Sequence, residues 1–210
     1  MCGRFYVDED TAREIERVIW GVDLQIQKMR TGVIYPSQAA GILTRHSGQG
    51  HLPEADFAAG DPPVLELEEM QWGFPQYQKK GLLINARAET ALERRMFRES
   101  VMHRRCVIPA AHFYEWDPDK NKVAFFREDS SALYMAGFYN RFQDEDRFMI
   151  LTTQANASVR PVHDRMPLVL EERELTDWVY EDKFTEYALH KTPPELCREQ
   201  EYEQQSLLFT

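Results

Sequence analysis

The chain has 210 residues, of which 43% are hydrophobic and 12% aromatic, and its formal net charge at pH 7 is -10. This size and composition allow one substantial hydrophobic core, so we expect a single compact domain over residues 1–210, with residues 180–210 the part whose place in it is least defined. The negative charge excludes a basic protein that coats nucleic acid, and the lack of a long apolar run excludes a membrane-spanning helix and a secretory leader, so we expect a cytoplasmic protein without a membrane partner.

The predicted elements are mostly strands. In chain order they are a helix at residues 8–20, strands at 41–45 and 65–74, a helix at 88–99, strands at 122–127, 132–142 and 147–153, and a helix at 171–181. The strand segments are rich in β-branched and aromatic residues. Because strands outnumber helices and do not alternate with them, a repeated βαβ architecture is excluded. The sequence therefore predicts an α+β fold with one mainly antiparallel sheet, twisted or barrel-like, and a few flanking helices.

Three segments carry signals for where elements begin and end. In the first helix, Thr11 and Glu14 stand at the spacing of a capping box. Residues 45–63 are rich in glycine, proline and small side chains, so they are predicted to form a surface excursion. Residues 191–210 contain a proline pair and end with apolar side chains, and we expect this segment to close with an edge strand.

The cysteines and histidines give no sign of a bound metal. The three cysteines are an odd number and have no CxxC spacing, which is typical of a protein in a reducing compartment. The histidines show neither HExxH nor paired Cys/His spacing. The sequence therefore predicts no metal and no cofactor. Cys106 lies in the apolar run "RRCVIPA" and is expected to be buried and inert.

The chain begins "MCGRF", with a cysteine directly after the initiator methionine. Initiator methionine is removed when the second residue is small, which would expose both an α-amine and a thiol on Cys2. The amine has a pKa of about 7.7 to 8, so part of it is nucleophilic at neutral pH. Together the two groups can condense with an aldehyde and close a thiazolidine ring, or attack an acyl group. The alternative is that the cysteine is there by chance, since the residue type at the second position of a chain is close to random.

Two polar residues follow an apolar run in "LLINARAET". Asn85 stands at the predicted end of a strand, where a carboxamide can position an amine or stabilise a developing oxyanion without changing charge. Arg87, two residues further on, can hold a phosphate through two parallel hydrogen bonds. The alternative for Asn85 is an ordinary turn residue.

Two titratable residues are candidates for acid/base chemistry. Glu115 lies between Tyr114 and Trp116, and burial there would raise its pKa towards neutrality, although an alternating strand could instead point it to water. His163 lies in the proline-bounded loop "RPVHDRMP", and histidine can move protons in both directions near neutral pH. An exposed loop histidine without a function is the alternative for His163.

These stretches together resemble a known family. "MCGRF" at the start, "NARAET" after a "WG" strand, "FYEW" and "HDRMP" stand in the same order and at similar separations in the SOS response-associated peptidase (SRAP) family. The resemblance spans residues 1–170, and Trp178 on the following helix is also in keeping with it. His112 stands where the family more often has glycine, and Tyr77 where a tryptophan is common.

The resemblance implies a sensor and shield of abasic sites in single-stranded DNA, acting as a monomer and associated with the nucleoid if the source is bacterial. By this resemblance Cys2 forms a thiazolidine with the ring-opened deoxyribose, and Asn85 holds its backbone or amine. Glu115 helps to open the sugar, and His163 shuttles protons near the Schiff base. The resemblance also implies DNA contacts by Arg4, Arg87, Arg165, Thr152, Tyr77 and Trp116.

The family name implies a second activity, cleavage of the bond between Met1 and Cys2 by the chain itself, and Schiff-base chemistry implies a lyase side activity on abasic DNA. Two other classes of function remain open on the sequence. One is a cysteine peptidase that acts on other proteins, with His163 as the general base of Cys2. The other is a non-catalytic reader of modified DNA, for which arginines and aromatic side chains suffice.

Overall fold

The computed structural model describes residues 2–16, 18–19, 29–46, 65–76 and 79–201. Its helices are α1 (Glu9–Ile15), α2 (Ala88–Ala91), α3 (Arg95–His103), α4 (Leu175–Tyr180) and α5 (Asp182–His190), with one turn of 3-10 helix at Glu172–Glu174. Its strands are β1 (Phe5–Val7), β2 (Gly32–Ile34), β3 (Ala39–Arg45), β4 (Leu65–Trp72), β5 (Phe74–Pro75), β6 (Leu82–Leu83), β7 (Asn85–Arg87), β8 (Arg105–Ala110), β9 (His112–Trp116), β10 (Lys122–Phe126), β11 (Leu133–Phe142), β12 (Glu145–Gln154), β13 (Arg165–Pro167), β14 (Val169–Leu170) and β15 (Cys197–Glu201).

Five strands close a barrel. Around the ring, β12 pairs with β4, β4 with β3, β3 with β8, β8 with β11, and β11 again with β12. Only the β12–β4 pairing is parallel. Strands β7 and β13 extend the sheet from β12, and β14 extends it from β11. The predicted α+β fold with a mainly antiparallel, barrel-like sheet is therefore confirmed.

Large side chains and one close approach set the packing of the barrel. Trp72 and Phe148 are fully buried and stack with ring centroids 6.1 Å apart. At Gly137 on β11 a Cβ atom would lie 2.4 Å from Ile108 Cδ1 and 2.6 Å from the backbone oxygen of Met149. A backbone oxygen cannot move away without breaking the sheet, so only glycine fits at this crossing of strands.

A second sheet of five strands, in the order β15-β10-β9-β1-β2, carries the amino terminus. Its central strands bury aromatic side chains, and the rings of Phe113 and Phe125 stack with centroids 5.2 Å apart. Strand β15 pairs with β10 and ends the order, so residues 191–201 contribute an edge strand at Cys197–Glu201, while the apolar end of the predicted segment lies outside the described residues. The predicted surface excursion at residues 45–63 lies almost wholly outside the described residues.

The first helix is shorter than the predicted residues 8–20, and its cap is not the one that the sequence suggested. Its N-cap is Asp8, whose carboxylate accepts from the backbone N–H of Thr11 at 2.7 Å, so the capping role expected of Thr11 was wrong. Thr11 is instead buried, and its hydroxyl donates to Asp8 at 2.8 Å. The helix ends at Ile15.

The helix predicted at residues 88–99 is divided into α2 and α3, with extended backbone at Arg94. Ala91 and Ser100 are both buried. In one continuous helix, nine residues at 100° each would put these two side chains about 180° apart, on opposite faces. Breaking the helix allows both to face the core.

The helix predicted at residues 171–181 is a 3-10 turn followed by α4. The following helix α5 was not predicted. No helix in the described ranges is long and apolar enough to cross a membrane.

Candidate functional site at the amino terminus

The amino-terminal residues lie against β9. In β1, Phe5 pairs with Phe113, and the N–H of Tyr114 donates to the carbonyl of Arg4 at 3.0 Å. This register carries the chain preceding Phe5 along β9 towards Trp116. Cys2 is fully buried, and its thiol donates to the carbonyl of Arg4 at 3.7 Å.

Asn85 holds the backbone of Cys2. The residue begins β7, which runs parallel to β12 with Asn85 opposite Ile150, and this pairing brings it to the amino terminus. Its Nδ2 donates to the carbonyl oxygen of Cys2 at 2.7 Å. Its Oδ1 is buried and accepts no hydrogen bond from the residues that the structure describes. Asn85 therefore fixes Cys2 with its donor and keeps an acceptor available beside it.

Glu115 is only 3% exposed, so the alternative in which it faces water is excluded. Burial raises the pKa of its carboxyl, and the charge of the nearby His163 partly opposes that rise. A carboxylic acid in such a place keeps its proton at a higher pH than an exposed glutamate, which suits it to donate that proton.

The thiol of Cys2 is held in its neutral form. Burial raises its pKa, and the negative charge of Glu115 raises it further. The pairing of β1 with β9 brings Cys2, three residues before β1, alongside the end of β9 that carries Glu115.

His163 completes this group from the loop before β13. Its side chain is 25% exposed, and its Nδ1 lies 3.0 Å from Asp164 Oδ1. The backbone N–H of Arg165 points at the same Nδ1, at 2.9 Å. The carbonyl oxygen of Arg165 lies 3.2 Å from the same nitrogen. Nδ1 thus has two acceptors and one donor as neighbours, so these contacts hold the ring in place in either tautomer.

Two of the arginines expected to bind phosphate differ in their surroundings. Arg87 is exposed, and no carboxylate among the described residues pairs with it. The guanidinium of Arg4 lies between two rings, 4.6 Å from the centroid of Tyr35 and 4.8 Å from that of Trp116. Such stacking holds the guanidinium plane in place while its edge remains able to bind a phosphate. Trp116, expected to stack on a base, is therefore already a partner of Arg4.

The third arginine is used inside the protein. Arg165 is 7% exposed and binds the carboxylate of Glu89 through two hydrogen bonds, at 2.6 and 2.9 Å. It also donates to the carbonyl of Thr152 at 2.6 Å. Thr152 is fully buried beside it, and its hydroxyl donates to the carbonyl of Ala86 at 3.4 Å. The hydrogen bonds of Arg165 thus link β13 to α2 and to β12. Phosphate binding by Arg165 and a DNA contact by Thr152 stay predictions.

Several contributing residues were not identified from the sequence. Tyr35 supports Arg4, Glu89 neutralises Arg165, and Asp164 contacts the ring of His163. Asp164 could have been found as the direct neighbour of His163, but nothing local marks Tyr35 or Glu89. Tyr77, expected to stack on a base, lies outside the described residues. Within the described ranges, no group of three acidic, histidine or cysteine side chains is placed to bind a metal ion.

The chain is similar in sequence to curated proteins of bacteria. The chain is 35% identical over 127 residues to the abasic site processing protein YoaM of Bacillus subtilis (strain 168), and 33% identical over 126 residues to the abasic site processing protein YedK of Escherichia coli (strain K12). The matches cover 54% and 56% of this chain, and 56% and 57% of those proteins. The chain thus spans just over half the length of the curated relatives it matches.

Solved structures share the fold. A protein from Bordetella bronchiseptica superposes with a TM-score of 0.73 at 20% identity, covering 96% of this chain and 100% of that one. A protein from Bacteroides thetaiotaomicron gives a TM-score of 0.73 at 19% identity, covering 95% of this chain and 91% of that one. At this level of identity the likeness concerns the fold alone.

The family profile decides the assignment. The profile described as SOS response associated peptidase (SRAP) matches residues 1–205, which is nearly the whole chain. The family resemblance inferred from the four sequence stretches is confirmed, and the chain belongs to the SRAP family.

Proposed function

We propose that this protein captures abasic sites in single-stranded DNA by a covalent bond to Cys2. The observation that carries this proposal is the meeting of Asn85, Glu115 and His163 around the one residue that can bear both an α-amine and a thiol. The names of the curated relatives, abasic site processing proteins, point to the same class of substrate.

The reaction first requires the removal of Met1. While Met1 is attached, the nitrogen of Cys2 is an amide and cannot condense with an aldehyde. An aminopeptidase can remove it, or the chain can cleave the bond itself, with the Cys2 thiol or a water molecule activated by Glu115 or His163 as nucleophile. The Oδ1 of Asn85 has no donor among the described residues, and on this proposal it accepts from the freed amine and so orients its lone pair.

Glu115 is suited to opening the sugar. An abasic deoxyribose exists mainly as a closed hemiacetal, and opening it requires a proton on the ring oxygen. The raised pKa of Glu115 lets this carboxyl keep its proton to a higher pH than an exposed glutamate, so that it can give that proton and take one back from the hemiacetal hydroxyl.

The amine reacts before the thiol. It attacks the aldehyde carbon, water leaves, and an imine forms; the thiol sulfur then adds to the imine carbon while its proton passes to the nitrogen. The raised pKa of the Cys2 thiol favours this order, because the neutral thiol is a poor first nucleophile. His163, whose ring is held by Asp164 and the backbone of Arg165, is suited to move protons on and off during the imine steps.

The same imine would allow a lyase side activity. While it persists, a proton can be lost from the adjacent sugar carbon and the strand broken by β-elimination. Ring closure by the thiol removes the imine and so protects the strand. A His163→Ala variant is therefore expected to change the ratio of strand scission to adduct while still forming adduct slowly.

Arg4 and Arg87 are the better placed phosphate ligands. Both guanidinium groups lack a carboxylate partner among the described residues, whereas Arg165 is bound to Glu89. Two local positive charges allow an acidic protein to bind a DNA backbone at one place on its surface. The single-strand preference rests on the need for an unstacked sugar at the amino terminus.

The two other functions have less support. A peptidase that acts on other proteins would use the Cys2 thiol as its first nucleophile, and the neutral form favoured by the raised pKa of that thiol weighs against it. A non-catalytic reader of DNA would need neither the thiol nor a buried acid, and both would then lack a role. Replacement of Cys2 distinguishes this case, because binding alone should survive it.

A time course on a fluorescent single strand tests the proposal. Protein lacking Met1 is mixed with an oligonucleotide that contains one abasic site, or with a control in which tetrahydrofuran replaces the sugar and no aldehyde can form. We expect an adduct that survives denaturation with the abasic strand only. Binding without an adduct would favour the reader, and cleavage of peptide substrates without an adduct would favour the peptidase.

A further inference from the structure

A second cavity adjoins the amino-terminal site. Its volume is about 370 Å³, and the side chains that matter here are Asp119, Val123, Val162, Arg198 and Gln200. It lies between the turn that joins β9 to β10, the loop before His163, and the edge strand β15. The volume is within the range of sites that bind small ligands.

The sheet register connects this cavity to Glu115. On β10, Val123 pairs with Glu115 on one side and with Gln200 on the other. Directly paired residues point to the same face of a sheet, so the three side chains form one row. Adjacent strands are about 4.8 Å apart, which puts Gln200 about 10 Å from Glu115. Val162, which lines the cavity, directly precedes His163 in the chain.

Two opposite charges line the cavity without pairing. Asp119 and Arg198 are both exposed residues of its lining, and in the described part of the chain they form no ion pair with each other or with another residue. Asp117, by contrast, is held by Asn121, whose backbone N–H and side-chain amide donate to it at 2.8 and 3.0 Å. An acid and a base that share a cavity but do not meet can bind a ligand that offers donors on one edge and acceptors on another.

Guanine has that pattern. Its O6 and N7 accept from an arginine, and its N1–H and N2 amino group donate to a carboxylate. Val123 and Val162 provide the apolar surface that the face of a base requires. A phosphate is a poorer fit, because two aspartates line the same cavity.

We propose that this cavity binds a guanine base next to the abasic site, with Asp119 on its N1–N2 edge and Arg198 on O6 and N7. The inference rests on the proposed function, since it takes single-stranded DNA as the ligand. Because an abasic sugar carries no base of its own, the cavity would make binding depend on the neighbouring base.

Binding to strands that contain tetrahydrofuran tests this subsite apart from the covalent chemistry. Affinity is measured by fluorescence anisotropy with guanine, adenine, cytosine or thymine placed on either side of the tetrahydrofuran. We expect guanine on one side to bind about tenfold more tightly than thymine. Inosine, which lacks the N2 amino group, and 7-deazaguanine, which lacks N7, should each lose most of that gain.

Variants assign the preference to the cavity. Asp119→Ala should abolish the difference between guanine and inosine, and Arg198→Ala the difference between guanine and 7-deazaguanine. Glu199→Ala, an exposed neighbour on β15, should keep both differences. Equal affinity for all four bases on both sides, or a guanine preference that survives both cavity variants, would overturn the subsite.

The outcomes separate the two proposals. If abasic strands form no adduct but the guanine preference is present and depends on Asp119 and Arg198, the covalent function fails and the subsite stands. If adduct forms without any context preference, only the subsite is wrong.

Discussion

Two regions of this protein pair a buried cysteine with a glutamate of raised pKa. At the amino terminus the pair is Cys2 and Glu115, and in the barrel it is Cys106 and Glu68. Both cysteines are fully buried, and the pKa of each thiol is raised first by burial and then by its glutamate. By the usual signs of a perturbed site, the two regions look alike.

Their surroundings differ. Cys106 lies within β8 opposite Gly137, and Glu68 shares a hydrogen bond with Glu66, so burial and that neighbour raise the pKa of Glu68 to about 7. Cys2 is one residue from the chain terminus, and the amide of Asn85 holds its backbone. A buried thiol and a protonated acid therefore do not define a site by themselves. What distinguishes Cys2 is a potential α-amine and groups that can orient it.

The largest expected effect separates the two cysteines. Cys2→Ala should abolish the stable adduct with an abasic strand, because without the sulfur the imine cannot close to a thiazolidine ring. Cys106→Ala should form adduct at the parent rate, with a loss of about 1 kcal/mol in unfolding free energy from the small cavity that it leaves. Denaturing gels and urea unfolding measure the two quantities. Loss of adduct in a folded Cys106→Ala protein would remove the distinction.

The next effect separates the two acids. Glu115→Gln should slow adduct formation and its reversal by at least about 100-fold, because both directions pass through the same proton donor. Glu68→Gln should react at the parent rate. The parent rate should fall as pH rises through the raised pKa of Glu115, since the protonated form is then lost. A Glu115→Gln protein that reacts like the parent would make Glu115 a structural residue.

Asn85 should have a smaller effect. Asn85→Ala removes the hydrogen bond to the Cys2 carbonyl, and we expect about tenfold slower adduct formation from the misplaced amine. Asn85→Asp keeps the shape but loses the same donor, so it should be slow as well. Binding of a tetrahydrofuran strand should persist in both variants. An Asn85→Asp protein at the parent rate would show that the donor does not matter.

The smallest effect concerns stability and belongs to the barrel region. The pKa of Glu68 is about 7 in the folded protein, against an ordinary value of 4.5. Folding is thus favoured by its bound proton below pH 4.5, and that contribution is lost as pH rises through 7. Glu68→Gln keeps a neutral side chain, so it should exceed the parent by about 1 kcal/mol at pH 8, after allowance for solvent screening, and by nothing at pH 4.

A neighbour on the same strand controls that measurement. Glu69 is exposed on β4, and Glu69→Gln should show no such dependence. Urea unfolding at pH 4, 6 and 8 gives the comparison. If Glu68→Gln and Glu69→Gln respond alike, Glu68 does not hold a proton in the folded state.

Local patterns predicted the strands better than the helices. The predicted segments at residues 65–74 and 147–153 agree with β4 and β12 to within two residues. Apolar and polar side chains alternate at the start of the first segment, and the second contains a short continuous apolar run, which is typical of a strand buried on both faces. The division between α2 and α3 was missed, because it depends on the burial of both Ala91 and Ser100 against the core, which the local sequence does not show. Closure of the barrel depends on pairings between strands far apart in the chain, which local patterns do not contain.

The site shows the same limit. Its main residues were predicted from four short stretches and a family resemblance, but their geometry was not. The bond from Asn85 to Cys2 spans 83 positions and exists because β7 runs parallel to β12. The pairing of Arg165 with Glu89 spans 76 positions and leaves no local sign in either stretch.

The central claim is that the amino-terminal pair, and not the barrel pair, reacts with an abasic sugar. Intact mass spectrometry of Met1-free protein, before and after mixing with an abasic oligonucleotide, tests it most directly. We predict one new species with the summed mass of protein and oligonucleotide less one water, and peptide mapping that assigns the link to Cys2. A link mapped to Cys106 or Cys197, or the same species formed by protein that retains Met1, would contradict the account.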